Sequence, residues 1–358
     1  MKLSIKTDIF KEMVSRSIKG AGMDKLLSLT GMMAIELKDN ALTLITTDAS
    51  NYLYIKQENI VGDEFYVVVQ VEQFSKLISK MTCETITMEV NDGVLEVKGN
   101  GTYKIELPME EEGDMVVFPN PAAEIKNKKW KEVNIANIKT ILNTIKPALA
   151  VTMEIPVYTR YYMGARVVGT DTYKVASLNK DVLQTEPLLI SAETMNLLDV
   201  MTCEKIGFAQ VDDVILFDSP DCFVYGHVAE GVEDFQIDAI SALIEEEFKS
   251  SCKLDKVALL GILDRISLFV GQYDNKSITL TFTDKGVDVS SKTSTGVETL
   301  NYIESKGVEP FTCNIDIEML TTQLKANKNE SINLQFGNES SLKIVDGDIT
   351  QIVALLME

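Results

Sequence analysis

Met81-Thr82-Cys83-Glu84 returns intact as Met201-Thr202-Cys203-Glu204, 120 residues further along the chain. The surroundings return too. Phe74, Leu77 and Ile78 precede the first copy at helical spacing, and Thr194, Leu197 and Leu198 precede the second. After each copy the apolar period shortens to that of a strand, in Ile86-Thr87-Met88-Glu89-Val90 and in Ile206-Gly207-Phe208-Ala209. A helix-to-strand pattern repeated over about twenty residues marks a chain assembled from like modules.

A third copy falls at Asp316 to Phe336. Asp316 caps a helix reaching Lys325, and Ser331-Ile332-Asn333-Leu334-Gln335-Phe336 then alternates like a strand. Copies beginning near 71, 191 and 316 set three domains of about 120 residues each. Each domain opens with another amphipathic helix. Asp8 caps a stripe of Ile9, Phe10, Met13, Val14 and Ile18. Asn134 precedes Ile135, Ile138, Ile141, Leu142 and Ile145, and Asp255 precedes Leu259, Leu260, Leu263, Ile266 and Val270.

Alternating strands follow the helices, turning at Asp39-Asn40, at Asn91-Asp92-Gly93 and at Asp284-Lys285-Gly286. The chain therefore carries six helix-then-hairpin units, with linkers at Phe118 to Lys129 and along the acidic stretch Glu230 to Glu247. Like units joined head to tail close into a ring or run on as a filament. With one helix to lay on each sheet face, sheets outside and helices inside is the simplest arrangement.

At 358 residues the chain exceeds one compact core. Its 34 basic and 54 acidic side chains leave a net charge of −20. A protein this acidic repels polyanions on average, so contact with nucleic acid needs a locally basic surface. Met1 to Lys11 lacks the pattern of a secretory leader, and no apolar run approaches the ~20 residues that span a bilayer. Five cysteines without a Cys-x-x-Cys pair read as free thiols in a reducing cytosol, and the chain reads as cytoplasmic.

No catalytic residue, metal site or cofactor is predicted. His227 is the sole histidine, and no Ser-His-Asp spacing accompanies it. Asp212-Asp213 and Asp346-Gly347-Asp348 suit hairpin turns, and Glu110-Glu111-Glu112 and Glu245-Glu246-Glu247 read as solvated charge. Nothing has the spacing of a metal loop, and no Gly-rich phosphate loop follows a strand. Trp130 reads as core.

Three further features carry a resemblance: Leu29-Thr30-Gly31 before the first strand, Thr170-Asp171-Thr172-Tyr173-Lys174-Val175-Ala176, and an apolar strand at the C-terminal end. With the three-domain length, they make the whole chain resemble the bacterial DNA polymerase III beta subunit, the sliding clamp. That family carries Thr-Asp-Gly/Ser-His-Arg-Leu-Ala at the heptapeptide. This chain keeps three of the seven positions, with basic for basic and aliphatic for aliphatic at two more. It resembles a divergent copy of the kind that phages and mobile elements carry.

The resemblance implies an α+β fold of three clamp domains at 1–122, 128–235 and 248–358, each with two helices packed on antiparallel sheets. One chain would form half of a head-to-tail homodimeric ring whose helices line a channel for duplex DNA. The protein would be a non-catalytic processivity factor, without cofactor or membrane. It would tether the replicative polymerase and the clamp loader through their short linear motifs.

Sequence-blind lysines and arginines suit such a channel, because phosphate contacts position a duplex without reading it. Lys11, Ser15 and Lys19 share one stripe with Arg16 beside it, and Lys25 follows near a position where the family meets DNA. Lys76 and Lys80, Lys139 and Lys146, Lys256 and Arg265, and Lys325 and Lys328 complete the set. The second copy puts Asn196 and Val200 where the first has Lys76 and Lys80, and adds Glu193 and Asp199, so the middle domain's lining is weaker.

By resemblance, the partner cleft lies between the second and third domains. It maps to Thr170, Thr172, Tyr173, Lys174, Val175, Ile352, Val353, Leu355, Leu356 and Met357, with Phe235 and Ile237 on its rim. The family's C-terminal Met-Pro and basic residue are absent, replaced by Leu355-Leu356-Met357-Glu358. The dimer seam maps to Tyr103 and Ile105 against Leu268 and Phe269. Plainer readings stand beside these: solvated lysine faces, a C-terminal strand that is only core, and apolar seam residues packed internally. The competing functions are a clamp-fold adaptor that binds peptides without encircling DNA, and an acidic hydrolase.

Overall fold

Two adjacent left-handed residues close the first hairpin. Asp39 and Asn40 have φ of 51° and 59°, the type I′ geometry whose twist matches that of the flanking strands. Lys38 then pairs with Ala41 and Leu37 with Leu42. The computed structural model describes residues 2–22, 27–91, 93–109, 116–271, 276–292 and 295–357.

The helices are α1 (Thr7–Ser17), α2 (Val71–Ser79), α3 (Pro121–Glu124), α4 (Ile135–Thr144), α5 (Ala192–Leu197), α6 (Ile237–Glu245), α7 (Lys256–Ser267) and α8 (Ile317–Ala326). Six of them, α1, α2, α4, α5, α7 and α8, are those the apolar spacing predicts. The acidic Glu230–Glu247 linker contains a helix the sequence reading did not predict, α6, which buries Ile240 and half-buries Ile237 and Ile244.

The repeated tetrapeptide has a mechanical role. Its glutamate carbonyl accepts the backbone N–H of the first residue of a domain-opening helix: Thr7 to Glu84 at 3.0 Å and Ile135 to Glu204 at 3.0 Å. Lys256 to Glu330 repeats the bond at 2.8 Å in the third copy, where Asn327 is buried at the position of Met81 and Met201. Lys6 occupies the N-cap of α1 and makes no side-chain cap bond, and Asp8 lies in the first turn. That corrects Asp8 as a cap.

Asn134, Asp255 and Asp316 do cap. Asn134 accepts from Ala136 N at 2.7 Å and Asp255 from Ala258 N at 2.8 Å, while Asp316 takes both Glu318 N and Met319 N. Asp316→Ala leaves two helix-end donors unmet and should cost about 1 kcal/mol, read as a lower denaturant midpoint at unchanged slope. An unchanged midpoint would mean that solvent caps α8 equally well.

The chain divides into two compact units, Met1–Ala136 with Glu193–Val228, and Asn137–Ala192 with Ala229–Glu358. In the first unit one antiparallel sheet runs, in spatial order, through Phe65–Gln70, Met32–Lys38, Ala41–Thr47, Tyr52–Glu58, Cys222–Ala229, Val214–Ser219, Lys205–Val211 and Lys131–Asn134. A second has the order Lys2–Lys6, Thr85–Asn91, Val94–Lys98, Thr102–Glu106. α1 packs against α2 through Phe10 and Phe74, edge to face at 6.0 Å. Trp130 is half exposed and lies across Gly207, where a Cβ would come within 3.0 Å of the indole; this corrects Trp130 as core.

In the second unit the sheet order is Leu188–Ser191, Arg160–Met163, Val167–Thr170, Lys174–Leu178, Ile349–Leu356, Ser341–Asp346, Ser331–Phe336, Ser250–Asp255, Glu304–Lys306. The end of Ile349–Leu356 also pairs with Phe311–Asp316, which continues into Ser277–Phe282, Gly286–Ser291 and Val297–Asn301. α7 and α8 cover this core, where Phe282 stacks on Phe336 at 3.8 Å.

All five cysteines are free, and burial pushes the Cys222, Cys252 and Cys313 thiols up to about 12. Among the described residues, no helix is long and apolar enough to cross a membrane.

Candidate nucleic-acid and partner interfaces

In the first unit, α1 and α2 bury Phe10, Met13, Val14, Phe74 and Ile78 and turn their polar sides outward. Between them runs a groove lined by Lys11, Ser15, Ile18, Ser75, Lys76 and Ser79. The side chains of Lys11, Lys19 and Lys80 make no ion pair or hydrogen bond with any described residue. Lys76 pairs with Glu72 one turn earlier at 2.5 Å. Arg16 is corrected as an open contact. It is turned inward to Asp221 at 2.7 Å, and two of its guanidinium nitrogens are buried without a partner. Lys25 lies outside the described residues. The exposed side chains of α5 include Glu193 and Asn196, with Asp199 beyond its end, as the repeat comparison expects.

In the second unit, Lys139 is half buried and Lys325 exposed, each without a described partner. Lys146 and Lys328 lie beyond the ends of α4 and α8, and Lys328 donates to Thr140 Oγ1 at 3.1 Å. Lys256 is spent on the Asn327 carbonyl at 2.7 Å. Arg265 forms a two-pronged pair with Glu298 at 2.8 and 2.6 Å. Exposed pairs of this kind are weak, about 0–1 kcal/mol, so Lys76 and Arg265 remain exchangeable.

The heptapeptide forms a tight turn in the second unit. Asp171 Oδ1 accepts from Tyr173 N at 3.0 Å and Lys174 N at 2.9 Å, and its other oxygen pairs with Lys174 Nζ at 2.8 Å. Thr170 Oγ1 donates to the Lys174 carbonyl at 2.8 Å. Thr172 has φ of 80°, a conformation that a β-branched residue adopts only under constraint. The turn holds Tyr173 outward, 62% exposed.

Beneath it, Val175 and Ile352 pair in register and join Val157, Tyr158, Tyr162, Phe235 and Ile240 in one buried cluster. Phe235, 2% exposed, stacks on Tyr162 at 5.1 Å and meets Tyr158 edge-on at 5.4 Å. It is therefore floor, which corrects its placement on the rim; Ile237 is half buried beside it. Thr170 and Val353 are buried, Leu355 and Leu356 half buried in the ladder with Phe311–Asp316, and Met357 exposed.

Two of the sheet edges bear on the expected seam. In the first unit, Tyr103 is exposed on the edge strand Thr102–Glu106. Ile105, on the same strand, pairs with Leu95 and is itself buried within the subunit. In the second unit, Leu268 at the end of α7 is 80% exposed and Phe269 half exposed, with Val297–Asn301 as the edge strand. Sequence reasoning missed α6 and the exposed Val151, Met153 and Ile155. The signal for α6 was its Ile237, Ile240, Ile244 spacing.

No protein-family model and no curated protein matches the sequence. Solved structures do match its fold. The DNA polymerase sliding clamp from Bacillus subtilis has TM-score 0.84 at 16% identity, covering 100% of this chain and 99% of that one. The beta subunit from DNA polymerase of Streptococcus pyogenes gives 0.86 at 14%, covering 100% of both. DNA polymerase III subunit beta from Borrelia burgdorferi, solved with a natural product, gives 0.86 at 15%, covering 100% and 99%. From end to end, this chain has the sliding-clamp fold.

Proposed function

We propose that this protein is a sliding clamp, a non-catalytic processivity factor that encircles duplex DNA. Its three domains, 1–122, 128–235 and 248–358, form half of a head-to-tail homodimeric ring, and the surface around Tyr173 tethers the replicative polymerase and the clamp loader. The observation that carries this reading is the full-length likeness in fold to DNA polymerase clamps. Lysines left unpaired on helices of both units, in a protein of charge −20, support it. The open edges at Thr102–Glu106 and Val297–Asn301 are the complementary partners that a ring seam needs.

Purified protein loaded on nicked circular DNA should be retained in a salt-sensitive way, and linearising the DNA should release it. Equal retention on linear DNA with free ends would overturn encirclement. A monomeric mass by light scattering would turn the reading to a clamp-fold adaptor.

A further inference from the structure

We propose that the apolar surface around Tyr173 and the Tyr158–Tyr162–Phe235 cluster takes a partner segment whose apolar anchors are flanked by lysines or arginines. This rests on the reading of that surface as the partner site and adds the chemistry of its occupant.

Apolar side chains stand in solvent beside the cluster. Ala150 N donates to the Tyr158 carbonyl at 2.9 Å, closing a loop whose tip raises Val151 (97% exposed), Met153 and Ile155. The loop's base joins the cluster through Ala150, Val157 and Tyr158. Exposed apolar groups gathered next to a rigid aromatic floor mark an interaction surface.

The charge around them has one sign. No lysine or arginine occurs from Pro147 to Thr159 or from Ala229 to Phe248. Glu154, Glu230, Glu233, Asp234 and Asp238 are exposed and form no ion pair with any described residue. The basic side chains beside the site are already used: Lys174 on Asp171, Arg160 on the Glu230 carbonyl, and Arg166 on Glu245. Asp238 lies on α6 between Ile237 and Ile240, which join the cluster, and burial together with the charge of Asp238 raises the Tyr162 hydroxyl above its ordinary range. A negative rim around an apolar floor selects a cationic flank, and such rims set partner choice and association rate more than raw affinity.

Three fluorescein-labelled peptides test this, each with a Leu-Phe-Leu core, flanked by Lys-Arg, by Gln-Gln or by Glu-Glu. Anisotropy with the full-length protein should show the Lys-Arg peptide binding at least about tenfold tighter than the Glu-Glu peptide at low salt, the gap closing as salt screens the rim. In the Glu233→Lys, Asp238→Lys variant the order should collapse or reverse. Gln-Gln binding with no preference between the charged peptides would sink the charge inference alone. Failure of all three to bind would sink the partner-site reading and this inference with it.

Discussion

Replacing Lys11, Lys19 and Lys80 together by glutamate should abolish retention on circular DNA at physiological salt. These lysines lie on α1 and α2 or just past their ends, and none has an intrachain partner among the described residues. Removing one lysine from a DNA phosphate lowers the salt slope by about 1, so the triple variant should show a slope smaller by about three and an affinity down by about a hundredfold or more. Exposed or half-exposed side chains bear little on the core, so thermal unfolding should hardly move. Arg16→Gln makes the contrast. Arg16 is committed to Asp221 beside buried Cys222, and its loss should lower stability more than it changes the salt slope. A triple variant that slides like the parent would remove these helices from the DNA path.

Phe235→Ala should be the most damaging substitution at the partner surface. The ring is fully enclosed between Tyr158 and Tyr162, and emptying such a site costs about 3–5 kcal/mol. Against the 5–15 kcal/mol typical of a whole domain, that should lower the melting temperature by about 10 °C and remove peptide binding. Calorimetry beside anisotropy separates the two effects. Asp238→Lys should alter peptide choice without moving the melting temperature. An unmoved melting temperature for Phe235→Ala would show that Tyr158 and Tyr162 close over the gap.

Much of the architecture lay open in the residue pattern because it is local. Asp39-Asn40 announces a two-residue turn, since those side chains tolerate left-handed φ. The stripes of α1, α4 and α7 follow from their apolar spacing. What stayed hidden was non-local. Arg16 meets Asp221 more than two hundred residues away, and no helical stripe foretells it. Phe235 reads as rim until Tyr158 and Tyr162 close around it. Seven acids between Glu230 and Glu247 masked the isoleucines that wind α6. Ile105 and Tyr103 alternate alike and each pairs with a buried residue, Leu95 or Val97, so only the packed structure shows that Ile105 is covered and Tyr103 is not.

The joint at Glu84, Glu204 and Glu330 is made by peptide groups, so it is blind to side-chain identity. Nineteen of the twenty coded amino acids bring the required amide hydrogen to Thr7, Ile135 or Lys256; proline alone does not. The residue that most helices welcome at their opening position is the one barred at all three sites. Any other exchange at these three positions leaves the donor and the acceptor of the bond in place.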